Sequence, residues 1–317
     1  MPAAIISPAA CEQHLVPQGH PERPKRLSCV NDQLLSSGLN LAIDMLDTEA
    51  ASDEQLLRAH SQAHLDKLNQ LDEQLQQYGS QPIMSYDGET FLSPKSLNAA
   101  KLAAGAVVTA VDKILAKKYR SIFCHVRPPG HHAERDRAMG FCLFNNIAIG
   151  ALHALEAHGL KRVAIVDFDV HHGNGTQDIF LDDPRVLFCS AFQHPFYPYT
   201  PTDVDRAHIL NLPLASGCRG DEFRENIHDT WWQKIRAHKP QLIFISAGFD
   251  GHADDDMSGW LLNDSDYDWI SQQLRQLSDE IPQCKGIISA LEGGYELPSL
   301  ARCTVAHIKA IANLSGF

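Results

Sequence analysis

Residues 162–177 read RVAIVDFDVHHGNGTQ, and the abrupt change of character within this stretch decides the fold. Residues 163–166 are a continuous apolar run, the pattern of a parallel strand buried on both faces. Polar residues then take over at once. Side chains alternate along an extended chain, so Asp167, Asp169 and His171 leave one face together while Phe168 and Val170 leave the other. Two carboxylates and an imidazole converging at the tip of a core strand are costly unless a cation neutralises them, and a metal ion meets that need.

Further apolar runs recur at residues 121–126, 186–192, 208–212, 242–246 and 286–291, with helical segments at 145–158, 222–238 and 264–278. This alternation predicts an α/β fold, a mainly parallel sheet covered by helices on both faces. Upstream, residues 20–27 read as a Pro-punctuated loop leading into a helix, 53–70 as a second helix and 79–93 as polar and turn-like. Residues 93–118 read as a helix capped by Ser93, with Pro94 in its first turn. The hydrophobic content of 44% supports a sizeable core, and no repeat, low-complexity tract or Gly/Ser linker divides the chain. Residues 1–317 are expected to form a single domain.

In such a sheet, ligands bind beyond the carboxyl ends of the strands. The polar clusters fall there: RPPGHHAERDRAMGFC after 121–126, DFDVHHGNG after 163–166, AGFDGHADDDM after 242–246 and EGGYEL after 286–291. His131, His132, Asp167, Asp169, His171, Asp250 and Tyr295 are thereby delivered to one rim. Asp169, His171 and Asp250 are the predicted metal ligands, because three oxygen and nitrogen donors leave a coordination position open, as in catalytic zinc sites. The same donors also suit Fe(II) or Co(II). Adjacent histidines behind a stiff Pro-Pro-Gly turn do not easily share one metal, so His131 and His132 are assigned acid–base work, with Asp167 orienting one ring. Two glycines before Tyr295 let its phenol turn into the site as a donor to a developing oxyanion.

Phe141 and Tyr197 read as aromatic walls of an entry channel, and Cys142, among Phe141, Leu143 and Phe144, as a buried, inert thiol. Asp254, Asp255 and Asp256 are expected to cap a helix or pair at the surface. His14, His60, His64, His125, His153, His158 and His238 are expected to be structural or solvated.

The net charge of -12 argues against non-specific binding to nucleic acid or anionic membrane and favours cationic substrates. Eight cysteines without a CxxC pair, and an N-terminus lacking the basic start and long apolar core of a secretory signal, lead to the expectation of a cytoplasmic protein. No apolar run approaches the roughly 18 residues of a membrane span. A GxSxG elbow, a phosphate loop and a strand-borne GxGxxG are all absent from the sequence.

The motifs HPERPKR, RAHSQAHLD, RPPGHHA with MGFCLFNN, DFDVHHGNGTQ, SAGFDGHADDDM and LEGGYEL occur in order from about residue 19 to 300. With them the sequence resembles the zinc-dependent histone deacetylase superfamily, which includes bacterial deacetylases and acetylpolyamine amidohydrolases. The resemblance implies an arginase-like fold with an eight-stranded sheet, one Zn²⁺ per chain, and hydrolysis of N-acyl-lysine-type amides of a protein or peptide. By position, it implies zinc ligation by Asp169, His171 and Asp250, acid–base work by the tandem pair with His132 as the general acid–base residue, and carbonyl polarisation by Tyr295. It places Phe141 and Tyr197 in the acyl-lysine tunnel, Gly140 facing the reacting end of the substrate, Met257 at the mouth and Arg26 near the acetate exit. It also implies K⁺ or Na⁺ bound by Asp167, Asp169, His171, Ser190 and Ala191, and by Phe180, Asp183 and Val186.

Three positions depart from common members. Asn174 stands where class I enzymes have the aspartate partnering the second histidine, a class II feature that leaves His132 less basic. Tyr197 replaces the commoner phenylalanine, and Met257 stands where a polyamine-selective enzyme is expected to carry an acid. The rival readings are an acetylpolyamine or other small acetylamine amidohydrolase, a sugar- or acetoin-linked deacetylase, and a non-catalytic acyl-lysine binder. A bacterial cytosolic enzyme, with a homo-oligomer compatible, fits the lack of a basic tail.

Overall fold

The computed structural model describes residues 2–77 and 82–314. Along the chain run β1 (Ala3–Ile6), α1 (Lys25–Ser36), β2 (Asp44–Leu46), α2 (Asp53–Ala59), α3 (Gln62–Gln77), β3 (Met84–Ser85), β4 (Phe91–Leu92), α4 (Ser96–Leu115) and β5 (Ser121–Cys124). They continue with α5 (Asn146–Glu156), β6 (Val163–Asp167), α6 (Asn174–Phe180), β7 (Val186–Gln193), β8 (Ile209–Leu214), α7 (Gly220–Thr230), α8 (Trp232–His238), β9 (Ile243–Ala247), α9 (Asp264–Glu280), β10 (Ile287–Leu291) and α10 (Leu297–Ala312).

Eight strands form one sheet in the order β2-β1-β5-β10-β9-β6-β7-β8, and every pairing within it is parallel. All residues of β5, β6, β7, β9 and β10 are buried, which only helices on both faces can achieve. The register shows the two faces. Phe123, Ser289 and Ile245 lie side by side, and His307 of α10 hydrogen-bonds Ser289 at 2.8 Å and packs on Phe123. Their neighbours Ile122, Ile288 and Phe244 point the other way, where α5 and α4 pack over Phe244 through Gly150 and Val107.

Local chemistry sets several boundaries. The helix expected over 53–70 is broken at His60, which takes an extended backbone. Its ring is committed elsewhere, with Nδ1 2.9 Å from the Glu134 carbonyl and Nε2 accepting from the Asn145 amide at 2.9 Å. Ser52 and Gln55 form a capping box on α2. Ser93 does not cap α4, which starts at Ser96; its hydroxyl instead accepts from the Leu15 amide. The segment expected at 222–238 begins at Gly220 and divides at the buried Trp231. Part of the turn-like stretch at 79–93 pairs as β3 with β4, while residues 79–81 lie outside the described residues.

The N-terminal loop is fastened by buried charge. Arg127, just after β5, grips the Glu22 carboxylate through Nε and Nη2 (2.5 and 2.7 Å) and the carbonyls of Cys11, His14 and Glu22 at 3.0–3.2 Å. Arg26 bonds the same carboxylate at 3.1 Å and the carbonyls of Glu292 and Gly294 beyond β10. This clamp carries residues 17–21 to the carboxyl ends of the strands.

Candidate active site

Asp167 closes β6, and the next six residues stay buried without continuing the strand. Asp167 Oδ1 accepts from the Asp169 amide (3.1 Å) and Asp169 Oδ1 from the His171 amide (2.9 Å), so each carboxylate folds the chain two residues ahead of it. The expected two-sided display survives this turn: Phe168 joins the core beside Phe249, Tyr267 and His307, while the polar residues face the other way.

Asp250, three residues past β9, completes the cluster. Its Oδ1 accepts from the Val170 amide (3.2 Å), and the Gly293 amide beyond β10 donates to Asp169 Oδ2 (2.8 Å). One ligating atom from each of Asp169, His171 and Asp250 lies within 4.8 Å of the others. His171 Nδ1 stands 3.1 Å from Asp169 and 3.0 Å from Asp250, yet a single N–H cannot satisfy both carboxylates. Burial opposes protonation of His171, but Asp250 and Asp169 outweigh it and push it up to about 10. Burial and the nearby Asp169 charge raise Asp250 to about 6. The three groups therefore fit a divalent cation: two buried carboxylates crowd the single His171 Nδ1, His131 stands 3.8 Å from Asp169, and no Lys or Arg forms an ion pair with either carboxylate among the described residues. A Cβ at Gly293 would collide with the carboxylate oxygens of Asp250 and Asp169, so glycine is required there.

Two other groups of metal-ligating side chains behave differently. In Asp112, His153 and His158, His153 Nδ1 takes a hydrogen bond from Arg58 (2.7 Å), and in His252, Asp264 and Cys303, His252 Nδ1 takes one from the Asp254 amide (3.0 Å). Each ring must keep its proton on Nε2, the atom that a metal would need. No such conflict exists at His171, whose Nε2 has no hydrogen-bond partner among the described residues.

His131 Nδ1 contacts Asp167 at 2.9 Å, and its Nε2 lies 3.8 Å from Asp169. Burial disfavours its charge, but these two carboxylates prevail and push it up to about 10. His132, with ring centroids 4.0 Å away, goes in the opposite direction: burial, then the neighbouring His131 and His171, hold it well below the usual range. Its Nδ1 bonds Asn174 Oδ1 at 2.7 Å.

Above the cluster opens a cavity of about 530 Å³, lined among others by His132, Gly140, Phe141, His171, Tyr197, Met257 and Tyr295. Gly140 takes φ +55°, and a Cβ there would run into the His132 ring. The Phe141 ring meets Tyr295 edge-on at 6.0 Å, and Tyr197 meets His132 edge-on at 5.3 Å. Burial, then Asp250, raises the Tyr295 phenol well above 10, so it stays protonated. Arg26 lies under the Tyr295 ring, 4.9 Å from its centroid.

Of the residues suggested for monovalent ions, Ser190 pairs with Asp167 across β7 and β6, next to Ala191, and its buried hydroxyl has no hydrogen-bond partner among the described residues. Phe180, Asp183 and Val186 form the turn from α6 into β7, where Arg185 occupies the Asp183 carboxylate at 2.6–3.1 Å.

One expectation is corrected outright. Asp255 is not a surface residue: it is buried, with Oδ2 accepting from the amides of Tyr295 (2.6 Å) and Glu296 (3.0 Å) and Oδ1 from Met257 (3.0 Å). It thereby sets the position of two pocket residues. Cys142 is buried as expected, and burial raises its thiol well above 9. Sequence reasoning assigned no role to Phe196, stacked on His171 at 5.3 Å, or to His20, which lines the pocket. It also missed Glu292, whose Oε2 accepts from the amides of Gly130 (2.6 Å) and His131 (3.1 Å). Glu292 stood within the quoted LEGGYEL motif, and its acidic character in an apolar setting was the available signal.

Comparison with known proteins agrees with this architecture. Residues 20–311 match the histone deacetylase domain. An uncharacterized protein of Synechocystis, slr0245, is 38% identical over 97% of this chain and 99% of its own length. Type-2 histone deacetylase 2 of Dictyostelium discoideum and histone deacetylase 5 of Arabidopsis thaliana are each 36% identical over 95% and 94% of this chain. The chain spans only 20% and 47% of those two proteins. The crystal structure of the HDA15 HD domain superposes with a TM-score of 0.89 at 30% identity, covering 98% of this chain and 88% of that one.

These similarities define a histone deacetylase domain over most of the chain. The chain belongs to the histone deacetylase family.

Proposed function

We propose that this chain, acting as one catalytic domain over residues 1–317, is a zinc-dependent hydrolase of N-acyl, chiefly acetyl, amides of lysine side chains in proteins or peptides. The observation that supports it best is the buried Asp169, His171 and Asp250 cluster, with His132 and Tyr295 lining the same cavity as His171. Asp169, His171 and Asp250 would hold one Zn²⁺, which would supply Lewis-acid polarisation of the amide carbonyl and a lowered water pKa.

The chain's own groups do the rest. Phe141 and Tyr197 enclose the apolar stem of the substrate, and Gly140 leaves room for its reacting end against His132. His132, kept neutral, bonds Asn174 through Nδ1 and leaves Nε2 to accept a proton from the attacking water. Tyr295 donates its phenol proton in a hydrogen bond to the oxygen that becomes negative. His132 then passes its proton to the departing amine, and acetate and a free amine leave. His131, anchored on Asp167 through Nδ1, fixes the ring packed against His132. K⁺ or Na⁺ at the Ser190 region and at the α6–β7 turn is proposed as structural support.

A cytoplasmic location is part of the proposal; no helix among the described residues is long and apolar enough to cross a membrane. Small acetylated amines are the second reading, favoured by the Glu89 carboxylate on the pocket wall and opposed by Met257. Turnover of an acetyl-lysine peptide is compared with that of acetylputrescine, before and after chelation and zinc restoration. Metal-restored turnover with higher kcat/KM on the peptide supports the proposal, a reversed preference selects the amine, and no turnover on either substrate refutes both.

A further inference from the structure

Asn174 offers His132 a side chain whose two ends differ by only a 180° turn of the amide. If the oxygen faces the ring, His132 must carry its proton on Nδ1 and present a bare Nε2 to the cavity. If the NH₂ faces the ring, Nδ1 must accept, Nε2 holds the proton, and the base is lost. A catalytic aspartate would not have this ambiguity, since both of its oxygens accept. Something must choose for Asn174.

The chooser is Glu134. Asn174 Nδ2 donates to Glu134 Oε1 at 2.7 Å, and a carboxylate can only accept. The other groups near Nδ2 are weak: Met139 Sδ at 3.2 Å and the His132 carbonyl at 3.5 Å. With Nδ2 committed, Oδ1 must point at His132 Nδ1, 2.7 Å away. Glu134 is itself fixed. Arg137 forks onto its carboxylate at 2.7 and 3.1 Å, its amide donates to the Arg137 carbonyl at 3.0 Å, and its own carbonyl is bonded by His60. Its side chain is 17% exposed, at the edge of the site.

We propose that Glu134, acting through Asn174, locks His132 in the Nδ1–H tautomer and is a positioning residue for the acid–base step. The effect on catalysis rests on the hydrolytic reading above, whereas the tautomer is a property of the protein whether or not it turns over.

The experiment has two arms. In the first, ¹⁵N-histidine-labelled protein reports the ring nitrogens of His132, assigned by the signals missing in His132→Gln. The intact protein is expected to show a protonated Nδ1 and bare Nε2, and Glu134→Ala to move the ring toward Nε2–H. In the second arm, Glu134→Ala lowers kcat by roughly ten- to a hundred-fold with KM nearly unchanged, a partial loss of the roughly 10²–10⁴-fold that a positioned general base contributes. Glu134→Gln, which still offers an oxygen to Asn174, stays within a few fold of the intact enzyme. Asn174→Asp removes the ambiguity, so adding Glu134→Ala in that background costs about two-fold or less.

An unchanged His132 tautomer in Glu134→Ala overturns the proposal. So does an equal loss of kcat from Glu134→Ala with Asn174 and with Asp at that position, which would mark Glu134 as merely structural. If no variant or parent shows amidohydrolase activity, the hydrolytic reading fails and the spectra alone decide the tautomer.

Discussion

Replacing Arg127 by Met tests the clamp that brings the N-terminal loop to the pocket. The substitution keeps an unbranched apolar stem but deletes a fully buried guanidinium with five hydrogen bonds to the loop, two of them to the Glu22 carboxylate. Glu22 keeps only Arg26 at 3.1 Å and His14 at 3.5 Å. Removing one member of a buried ion pair costs about 3–5 kcal/mol, because the remaining charge is left under-compensated. With an unfolding entropy of about 2.1 cal/mol/K per residue, a 317-residue chain should lose about 4–8 °C in Tm.

The pH dependence has a definite sign. Burial alone would raise the Glu22 carboxyl, but Arg127 and His14 outweigh it and hold it well below 4.5. A carboxyl depressed on folding stabilises above its unfolded value and loses that stabilisation as pH falls through the folded value. The Tm gap between parent and variant should therefore be full at pH 7 and narrow below about pH 4.3. Adding Glu22→Gln to Arg127→Met removes the stranded charge and should recover about half of the loss. Since Pro17, Gln18, His20 and Pro21 line the pocket, KM should rise more than kcat falls. Calorimetric scans from pH 3 to 8 with steady-state kinetics check each point. A Tm within about 1 °C of the parent, or no recovery in the double variant, would refute the reasoning.

Tyr295→Phe should lower kcat by roughly 10²–10³ with little change in peptide binding, as for loss of one oxyanion donor, and unchanged turnover would remove the phenol from the mechanism. Gly140→Ala should cut kcat at least ~10-fold, because a side chain at φ +55° meets the His132 ring; near-parental kcat in steady-state assays would contradict that contact. Chelation should lower Tm and stoichiometric Zn²⁺ restore it, while Asp250→Ala should retain less than one equivalent of zinc by elemental analysis. A hydroxamate should inhibit at sub-micromolar concentration by taking up the open coordination position, and indifference to it would speak against a metal hydrolase.

Several of these elements are legible in the sequence alone. The β6 run ending in Asp167 was visible because a strand buried on both faces must be apolar throughout, and the switch to polar residues at its tip is abrupt. The same rule located β5, β7, β9 and β10, and with them the strand ends that carry His131, His132, Asp250 and Tyr295. The rule failed at β2, whose Asp44 and Met45 are exposed at the sheet edge, and at β1, only four residues long. No local pattern revealed α10 as the partner of α9 and α1.

Sequence by itself determined which residue types could meet at the strand tips, because strand periodicity and the chemistry of carboxylates and imidazoles are local properties. Only the tertiary structure decided what holds them in register. Glu22 and Arg127 are 105 positions apart, Asp255 reaches amides 40 and 41 positions away, and Glu134 meets Asn174 across 40 residues. The free energy of such contacts comes from burying and pairing polar groups, and neither burial nor partner is encoded in the residues adjacent to them.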